Sequence, residues 1–330
     1  MEVMRSGMRT QGIKQSVIDL ALAAKRSSTD RLYNYRWVIW ARFAKKEKFD
    51  PLHPSLANLT HFLESLHSGH NLRSGTLAGY RSAIAYTIAA ATGSYPSFFI
   101  EAPVIQNLLA GVRNLSAARQ TVRFPAWDVF LVLNFLRSEL FEPLNSIPLS
   151  LLTYKTVFLV ALATARRVSG IHAISGLDSD ISFSRDANDL SVSLSFLPDF
   201  LAKNQKAGSP SPSIRLEALS NLLSPDDSDI ALCPVKALKA YRKRTALFRG
   251  SKRRLFVSLN QNYDKDIAVA TISRWITATV KMAYTKAKAP LSNAIRAHEI
   301  RAISASLALV RGVPLQRIFE AAYWRSESTF

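Results

Sequence analysis

Apolar residues recur at helical spacing along most of this chain, and a strand pattern is clear in one segment. There, apolar residues alternate with polar ones over a strand-length window: Leu190, Val192, Leu194 and Phe196. A turn rich in Gly, Ser and Pro follows, as in a hairpin. The sequence therefore predicts a mainly α fold with a small antiparallel β-sheet, an α+β arrangement.

Residues 13–118 show a helical pattern with short breaks between the helices. One helix is predicted to start after the cap cluster Ser27 to Asp30 and to end near Pro51. Further helices are predicted in SLANLTHFLESLHS, TLAGYRSAIAYTIAAAT and VIQNLLAGVRNLSAAR. Together they indicate a compact bundle of four or five helices.

The stretch 119–125 interrupts the helical pattern with charge, β-branched residues and a proline. We interpret it as a linker between the helical domain, 13–118, and a second domain, 126–330. A chain of 330 residues is long enough for two such domains. Helices are predicted in the second domain in AWDVFLVLNFLRSEL, LLTYKTVFLVALATARRVSGIHAI, CPVKALKAYRKRTALF, TISRWITATVKMAYTKAKA and RAHEIRAISASLALVRG.

The charge balance is strongly basic, with 43 Lys and Arg against 24 Asp and Glu and a net charge of +19. Such a balance favours a polyanionic partner, either nucleic acid or an anionic membrane surface. No apolar run reaches the ~20 residues that cross a bilayer, and the first residues lack a signal-peptide core. We therefore expect an intracellular protein that binds nucleic acid and is not inserted in a membrane.

Two other features argue against a metal or nucleotide cofactor. His61, His67 and His70 lack a matching set of carboxylates or cysteines at ligand spacing, and no glycine-rich phosphate loop is present. The single cysteine, Cys233, rules out an internal disulfide and lies in an apolar stretch, which predicts a buried small hydrophobic residue.

Five residues in four short segments form a candidate chemical constellation. They are Arg167 in ATARRVSGIHAI, Lys203 in FLAKNQKAG, His298 and Arg301 in AHEIRAI, and Trp324 in AAYWRSES. Each has an ordinary explanation when taken alone, as an exposed helix end, a turn lysine, a local pair or core packing. Their order along the chain is what suggests a shared function.

That order resembles the tyrosine recombinase, or phage integrase, family. TARRVSGIHAI resembles the family's arginine motif, and HEIR resembles its HxLR motif, with Ile300 where Leu is usual. LCPVKALKAYRKRT, ISRWITATVK and YKTVFLVALA look similar to recombinases of DIRS-type retrotransposons. The resemblance extends from about residue 13 to the end, and implies a SAM-like core-binding domain followed by a catalytic domain.

The resemblance implies an enzyme that cuts and rejoins DNA through a 3′-phosphotyrosyl link, without metal, cofactor or small-molecule substrate. Arg167 and Arg301 would neutralise the nonbridging phosphate oxygens, because planar guanidiniums bind them in a bidentate way. His298 would donate a hydrogen bond or handle a proton near the attacking oxygen. These three residues would therefore surround the scissile phosphate.

Two further roles follow from the resemblance. Lys203, in the predicted hairpin, would give a proton to the leaving 5′-hydroxyl, and Lys206 in the same turn is a competitor for that role. Trp324 stands where many members have a second His, and its indole can donate one hydrogen bond to a phosphate oxygen.

The family nucleophile falls about nine residues past the position of Trp324, and a hydroxyl nucleophile is indispensable for covalent catalysis. Phe330 ends the chain before that point, and Tyr323 comes too early. We expect either a fragment whose nucleophile lies beyond Phe330, which we favour, or a noncatalytic DNA-binding protein of the same fold. A helical scaffold for membranes or acidic proteins is a third hypothesis.

The resemblance implies double-stranded DNA as the partner and a homo-tetramer as the assembly that holds it, in the nucleus if the host is eukaryotic. Arg73, Tyr80 and Arg81 lie near the start of a predicted helix, where similar recombinases place groove-reading residues, with ordinary surface and core positions as the alternative. Arg242 and Arg244 belong to the densest basic cluster, for which we weigh phosphate contact against a solvated helix face or a localisation signal. The other members of this cluster are Lys243, Arg249, Lys252, Arg253 and Arg254.

Overall fold

The computed structural model describes residues 2–115, 127–184, 190–202, 205, 213–224, 227–260, 264–291 and 295–324. The chain divides into two compact units, Met1–Val122 and Arg123–Phe330. The predicted linker, 119–125, lies outside the described residues. Each unit has its own hydrophobic core.

The described part of the first unit consists of helices joined by short loops, with no strand. Its helices are α1 (Glu2–Thr10), α2 (Gln15–Ala23), α3 (Ser27–Lys46), α4 (Leu56–His70), α5 (Ser74–Thr92), α6 (Phe98–Glu101) and α7 (Pro103–Leu115). The sequence pattern did not predict α1, which precedes residue 13. This helix packs closely on α5, where a Cβ at Gly7 would lie 2.1 Å from the carbonyl oxygen of Ala91.

An aromatic cluster forms the centre of the first core. Trp40 on α3 is fully buried, and its ring centroid lies 5.0 Å from that of Phe62 on α4. The indole N–H of Trp40 donates to the carbonyl of Pro51 at 3.0 Å. Since a buried indole needs an acceptor, this bond fastens the segment after α3 to the core. Helix α4 begins with a capping box made by Ser55 and Asn58.

The second unit combines helices with one small sheet. Its helices are α8 (Val129–Arg137), α9 (Leu149–Thr164), α10 (Val168–Ala173), α11 (Pro234–Thr245), α12 (Val269–Ala287), α13 (Glu299–Val310) and α14 (Leu315–Ala322). Helix α9 packs against α11, α12 and α13, so that apolar residues are buried around most of its circumference. It is the central helix of this unit.

The sheet is three-stranded and antiparallel, in the order β1 (Ile181–Phe183), β2 (Ser191–Leu194), β3 (Ile214–Glu217). Leu194 pairs with Ile181 on one side and with Ile214 on the other. Val192 and Leu194 are fully buried, as their alternation predicts. The predicted mainly α fold with a small antiparallel sheet is confirmed.

One helix that the sequence predicted as continuous is divided into two in the structure. The segment LLTYKTVFLVALATARRVSGIHAI forms two helices, because Ala165 adopts a left-handed conformation with φ of 48° and ends α9. Arg167 then occupies the N-cap position of α10. The left-handed conformation costs a non-glycine residue such as Ala165 on the order of 1 kcal/mol, and backbone strain of this kind clusters at functional sites.

Two smaller observations complete the fold. Within the described residues, no helix combines the length and apolar character needed to cross a bilayer. Cys233 is buried, as predicted, and its sulfur accepts the backbone N–H of Leu219 at 3.4 Å.

Candidate active site

A cleft of about 710 Å³ in the second unit brings together four of the five residues of the predicted constellation. Arg167, His298, Arg301 and Trp324 all line it. They come from the α9–α10 junction, from the start of α13 and from the residue pair after α14. Lys203, the fifth residue, lies outside the described residues, as does Lys206.

Arg301 is the most constrained of these side chains. It is 8% exposed, and its Nη2 donates to the carbonyl of Ala322 at 2.8 Å. Its guanidinium carbon lies 4.8 Å from the ring centroid of Trp324. One buried arginine on α13 therefore holds both the last residue of α14 and the indole that follows it. Tyr323 stands between them in a left-handed conformation, with φ of 55°.

His298 precedes Arg301 by one helical turn. It occupies the N-cap position of α13 and is exposed at the edge of the cleft. Residues three apart on a helix share a face, so the imidazole of His298 and the guanidinium of Arg301 both face the cleft. The neighbouring Glu299 accepts the indole N–H of Trp127 at 3.1 Å and the backbone N–H of Arg296 at 3.3 Å. These bonds anchor the first turn of α13.

Sequence reasoning missed a third arginine in this region. Arg166 is 8% exposed, and its Nε has no hydrogen-bond partner among the described residues. Its guanidinium carbon lies 5.3 Å from the ring centroid of Tyr323 and 5.7 Å from that of Phe196. The available signal was the doublet of arginines in ATARRVSG, of which we singled out Arg167 alone.

The three guanidiniums form an electropositive wall, which we call the arginine wall: Arg166, Arg167 and Arg301. Burial lowers the pKa of Arg166 to about 10. Burial, and then the charges of Arg167 and Arg166, lower the pKa of Arg301 to about 10 as well. No carboxylate of the described residues forms an ion pair with any of the three.

Buried like charges without counter-ions are costly, and a bound anion relieves that cost. The planar guanidinium fork matches the oxygens of a phosphate or a carboxylate. The arginine wall therefore has the chemistry of an anion site.

The three residues of the first unit that were predicted to contact DNA differ in how exposed they are. Arg73 is exposed at the N-cap position of α5, and Arg81 is partly exposed beside Tyr86. Tyr80, in contrast, is only 6% exposed and packs in the core, with its ring 5.9 Å from that of Phe62. Burial also raises the pKa of its phenol. Of the two alternatives that the sequence left open for Tyr80, its burial favours the core position over groove reading.

The densest basic cluster is largely engaged within the second unit. The guanidinium of Arg242 donates to the carbonyl of Gly176 and pairs with Asp178. Arg244 donates to the carbonyls of Leu144 and Ile147. Backbone carbonyls also accept bonds from other members of the cluster: Arg249, Lys252 and Arg254.

These bonds give several members of the cluster a structural role that the sequence did not predict. Unpaired carbonyls at loop and helix ends need donors, and these long cationic side chains supply them. Contact of Arg242 and Arg244 with phosphate stays a prediction.

Comparison with known proteins identifies the fold. No protein-family model matches the chain, and no curated protein matches it. Solved structures do match, and the similarity to a lambda integrase(75-356) dimer bound to a COC′ core site covers 94% of this chain and 93% of that one, at 16% identity and a TM-score of 0.52. A lambda integrase tetramer bound to a Holliday junction matches over 94% and 75%, at 16% identity and a TM-score of 0.50.

A third match comes from a different recombinase. The XerH site-specific recombinase bound to palindromic difH substrate is similar over 83% of this chain and 68% of that one, at 14% identity and a TM-score of 0.51. All of these neighbours are tyrosine recombinases. The chain therefore has the tyrosine recombinase fold, as its sequence motifs predicted.

Proposed function

We propose that this protein is a DNA recombinase or integrase that cleaves and rejoins DNA through a 3′-phosphotyrosyl intermediate. The observation that carries the proposal is the pair Arg167 and Arg301, which line a cleft shared with His298 and Trp324 and have no carboxylate partner among the described residues. The fold and the net charge of +19 support the same conclusion.

In this proposal the scissile phosphate binds against Arg167 and Arg301. Attack on a phosphodiester increases the negative charge on the nonbridging oxygens, and donors that are already in place stabilise that charge without reorganising. Arg301 meets this requirement, because its bond to the carbonyl of Ala322 and its contact with Trp324 fix the guanidinium. Arg167 is less buried, and closes the other side of the phosphate.

His298 and Trp324 complete the surroundings of the phosphate. The exposed imidazole of His298 can donate to a phosphate oxygen or take up a proton beside the attacking hydroxyl. The indole of Trp324 can donate one hydrogen bond and cannot carry a proton. Proton delivery to the leaving 5′-hydroxyl is assigned to Lys203, with Lys206 as the competitor, and the role of attacking tyrosine is assigned to no described residue.

We further propose double-stranded DNA as the partner, a homo-tetramer on DNA as the working assembly, and a nuclear location in a eukaryotic host. A tetramer is what one neighbour forms on a Holliday junction. A DIRS-type mobile element as the source stays a prediction, resting on the segments quoted above.

The decisive experiment is a covalent-trapping assay. A chain extended beyond Phe330 is incubated with nicked duplexes of randomised sequence, and protein–DNA adducts that survive denaturation are counted. We expect adducts from the parent chain and none above background from Arg167→Ala. Arg311→Ala is the matched control, because Arg311 is exposed at the end of α13 and does not line the cleft.

The outcomes separate the hypotheses. Salt-sensitive duplex binding without any adduct supports the alternative, a noncatalytic DNA-binding protein of the same fold. Absence of duplex binding at low salt contradicts both, and favours the helical scaffold.

A further inference from the structure

Arg166 has a position that the proposed reaction does not explain. It directly precedes Arg167, is 8% exposed, and buries an Nε without a hydrogen-bond partner among the described residues. No carboxylate of the described residues pairs with it. A buried guanidinium of this kind destabilises a fold relative to an apolar residue of similar size. Its presence therefore calls for a role other than stability.

The contacts of Arg166 link two separate parts of the second unit. Its guanidinium lies over the ring of Phe196, which follows β2 and forms an isolated β-bridge with Ile174. Phe196 also packs on Phe200, with ring centroids 5.2 Å apart, in the segment that leads toward Lys203. Arg166 therefore contacts the segment that directly follows β2, at Phe196.

The second contact of Arg166 is at the end of α14. The same guanidinium lies over the ring of Tyr323, which holds a left-handed conformation with φ of 55°. Residues with side chains rarely adopt that conformation, so surrounding contacts must maintain it. Arg301 holds the two neighbours of Tyr323, through the carbonyl of Ala322 and the ring of Trp324. Two arginines thus hold three consecutive residues.

We propose that Arg166 is a positioning residue that aligns Trp324 and Arg301 for phosphate by holding Tyr323. This proposal rests on the proposed function for its substrate, a phosphodiester. Stacking on two rings requires the flat guanidinium, which a lysine ammonium does not reproduce. Arg166 acts through its neighbours and need not touch the phosphate.

The test uses the 330-residue chain, labelled with 5-fluorotryptophan and followed by ¹⁹F NMR during titration with inorganic phosphate. The chain has five tryptophans, and the Trp324 signal is assigned with Trp324→Phe. Three variants are compared with the parent: Arg166→Met, Tyr323→Leu and Tyr323→Phe. We expect Arg166→Met and Tyr323→Leu to shift the Trp324 signal and to weaken phosphate binding by at least about fivefold.

Tyr323→Phe keeps the ring and is expected to match the parent in both measurements. Arg166→Met is expected to melt at a temperature no lower than the parent, because it removes a buried, incompletely bonded charge. The double variant Arg166→Met, Tyr323→Leu should bind phosphate no more weakly than the worse single variant, since the two residues act as one contact.

Several results would overturn the proposal. One is an Arg166→Met chain that keeps the parent's Trp324 signal and phosphate affinity. Another is a lower melting temperature for Arg166→Met with unchanged phosphate affinity, which indicates a purely structural role. If Arg166→Met does not fold, the proposal is overturned when Tyr323→Leu and Tyr323→Phe give the same Trp324 signal and the same phosphate affinity. None of these readouts needs DNA cleavage, so a failure of the proposed function is recognised separately, in the trapping assay.

Discussion

The indole N–H of Trp127 donates to a carboxylate oxygen of Glu299 at a distance of 3.1 Å, joining residues 172 positions apart in the sequence. Trp127 is 5% exposed and packs on Phe158 of α9. Glu299 is the first residue of α13, next to His298. The bond therefore connects the beginning of the second unit to the turn that positions the imidazole.

Trp127→Phe should lower the free energy of unfolding by about 1.5–3 kcal/mol, because a partly buried carboxylate loses a donor. Urea unfolding measures this change. The matched control is Trp275→Phe, which also removes a buried indole from this unit, but one for which no indole hydrogen bond is found within the described residues. Equal losses in the two variants would show that the Glu299 bond contributes nothing specific.

Arg167→Ala and Arg301→Ala should both weaken binding to duplex DNA and reduce the slope of log affinity against log salt by about 0.9 each. They should differ in stability. Arg301→Ala leaves the carbonyl of Ala322 without its donor, at a cost of about 1–3 kcal/mol, whereas Arg167 makes no such bond within the described residues. Fluorescence anisotropy at several salt concentrations and urea unfolding check the two expectations. Unchanged salt slopes in both variants would contradict phosphate contact.

Gly7→Ala should destabilise the first unit by about 1–3 kcal/mol, because its Cβ would meet the backbone of Ala91 on α5 at 2.1 Å. Helices α1 and α5 must separate to accept it. Gly111→Ala is the control. It lies inside α7, and nothing lies within 4 Å of the added Cβ, so we expect a gain of up to about 1 kcal/mol. Thermal unfolding measures both, and a neutral Gly7→Ala would refute the close α1–α5 contact.

Lys25 should show an unusual pH dependence. Its Nζ lies 2.8 Å from the ring centroid of Tyr86 and 4.0 Å from that of Tyr33. Burial lowers the pKa of its amine to about 8, from an ordinary value near 10.5. Acylation of Lys25, followed by mass spectrometry, should therefore be half-maximal near pH 8, and Tyr86→Leu should move this midpoint upward.

The sign of the effect of Lys25 on stability follows from the same shift. Between pH 8 and 10.5 the unfolded chain binds more protons at Lys25 than the folded chain does. The destabilising effect of the buried ammonium is complete below pH 8 and disappears as the pH rises toward 10.5. Lys25→Met should therefore stabilise the protein most below pH 8, and its advantage should shrink at higher pH. An advantage that does not change with pH would contradict the shift.

The helices and the strand with alternating apolar residues could be predicted from the sequence because their periodicity is local. Each helix of the first unit repeats its apolar residues every three or four positions, and the alternation around Val192 has a period of two. The motif formed by Arg167, His298, Arg301 and Trp324 could also be recognised, because the order and spacing of residues are properties of the sequence itself. These features predicted the fold class and four of the residues that line the cleft.

The end of α9 could not be predicted in the same way. The helical pattern continues through Ala165 and Arg166, and no glycine or proline interrupts it. Packing around α9 and the fit of α10 set the break, through a left-handed alanine that local preference disfavours. The sequence left a core position and a groove-reading position open for Tyr80 for a related reason, since both faces of α5 contain apolar residues.

By itself the sequence determined the class of fold, the strong positive charge and four of the residues that line the cleft, since periodicity, composition and motif spacing belong to the chain. Only the tertiary structure decided which cations are available to an anion. Arg244 donates to carbonyls about a hundred residues away, whereas the wall formed by Arg166, Arg167 and Arg301 has no carboxylate partner among the described residues. The physical reason is that a charge is a property of one residue, but its neutralisation depends on which distant groups the fold brings within hydrogen-bonding distance.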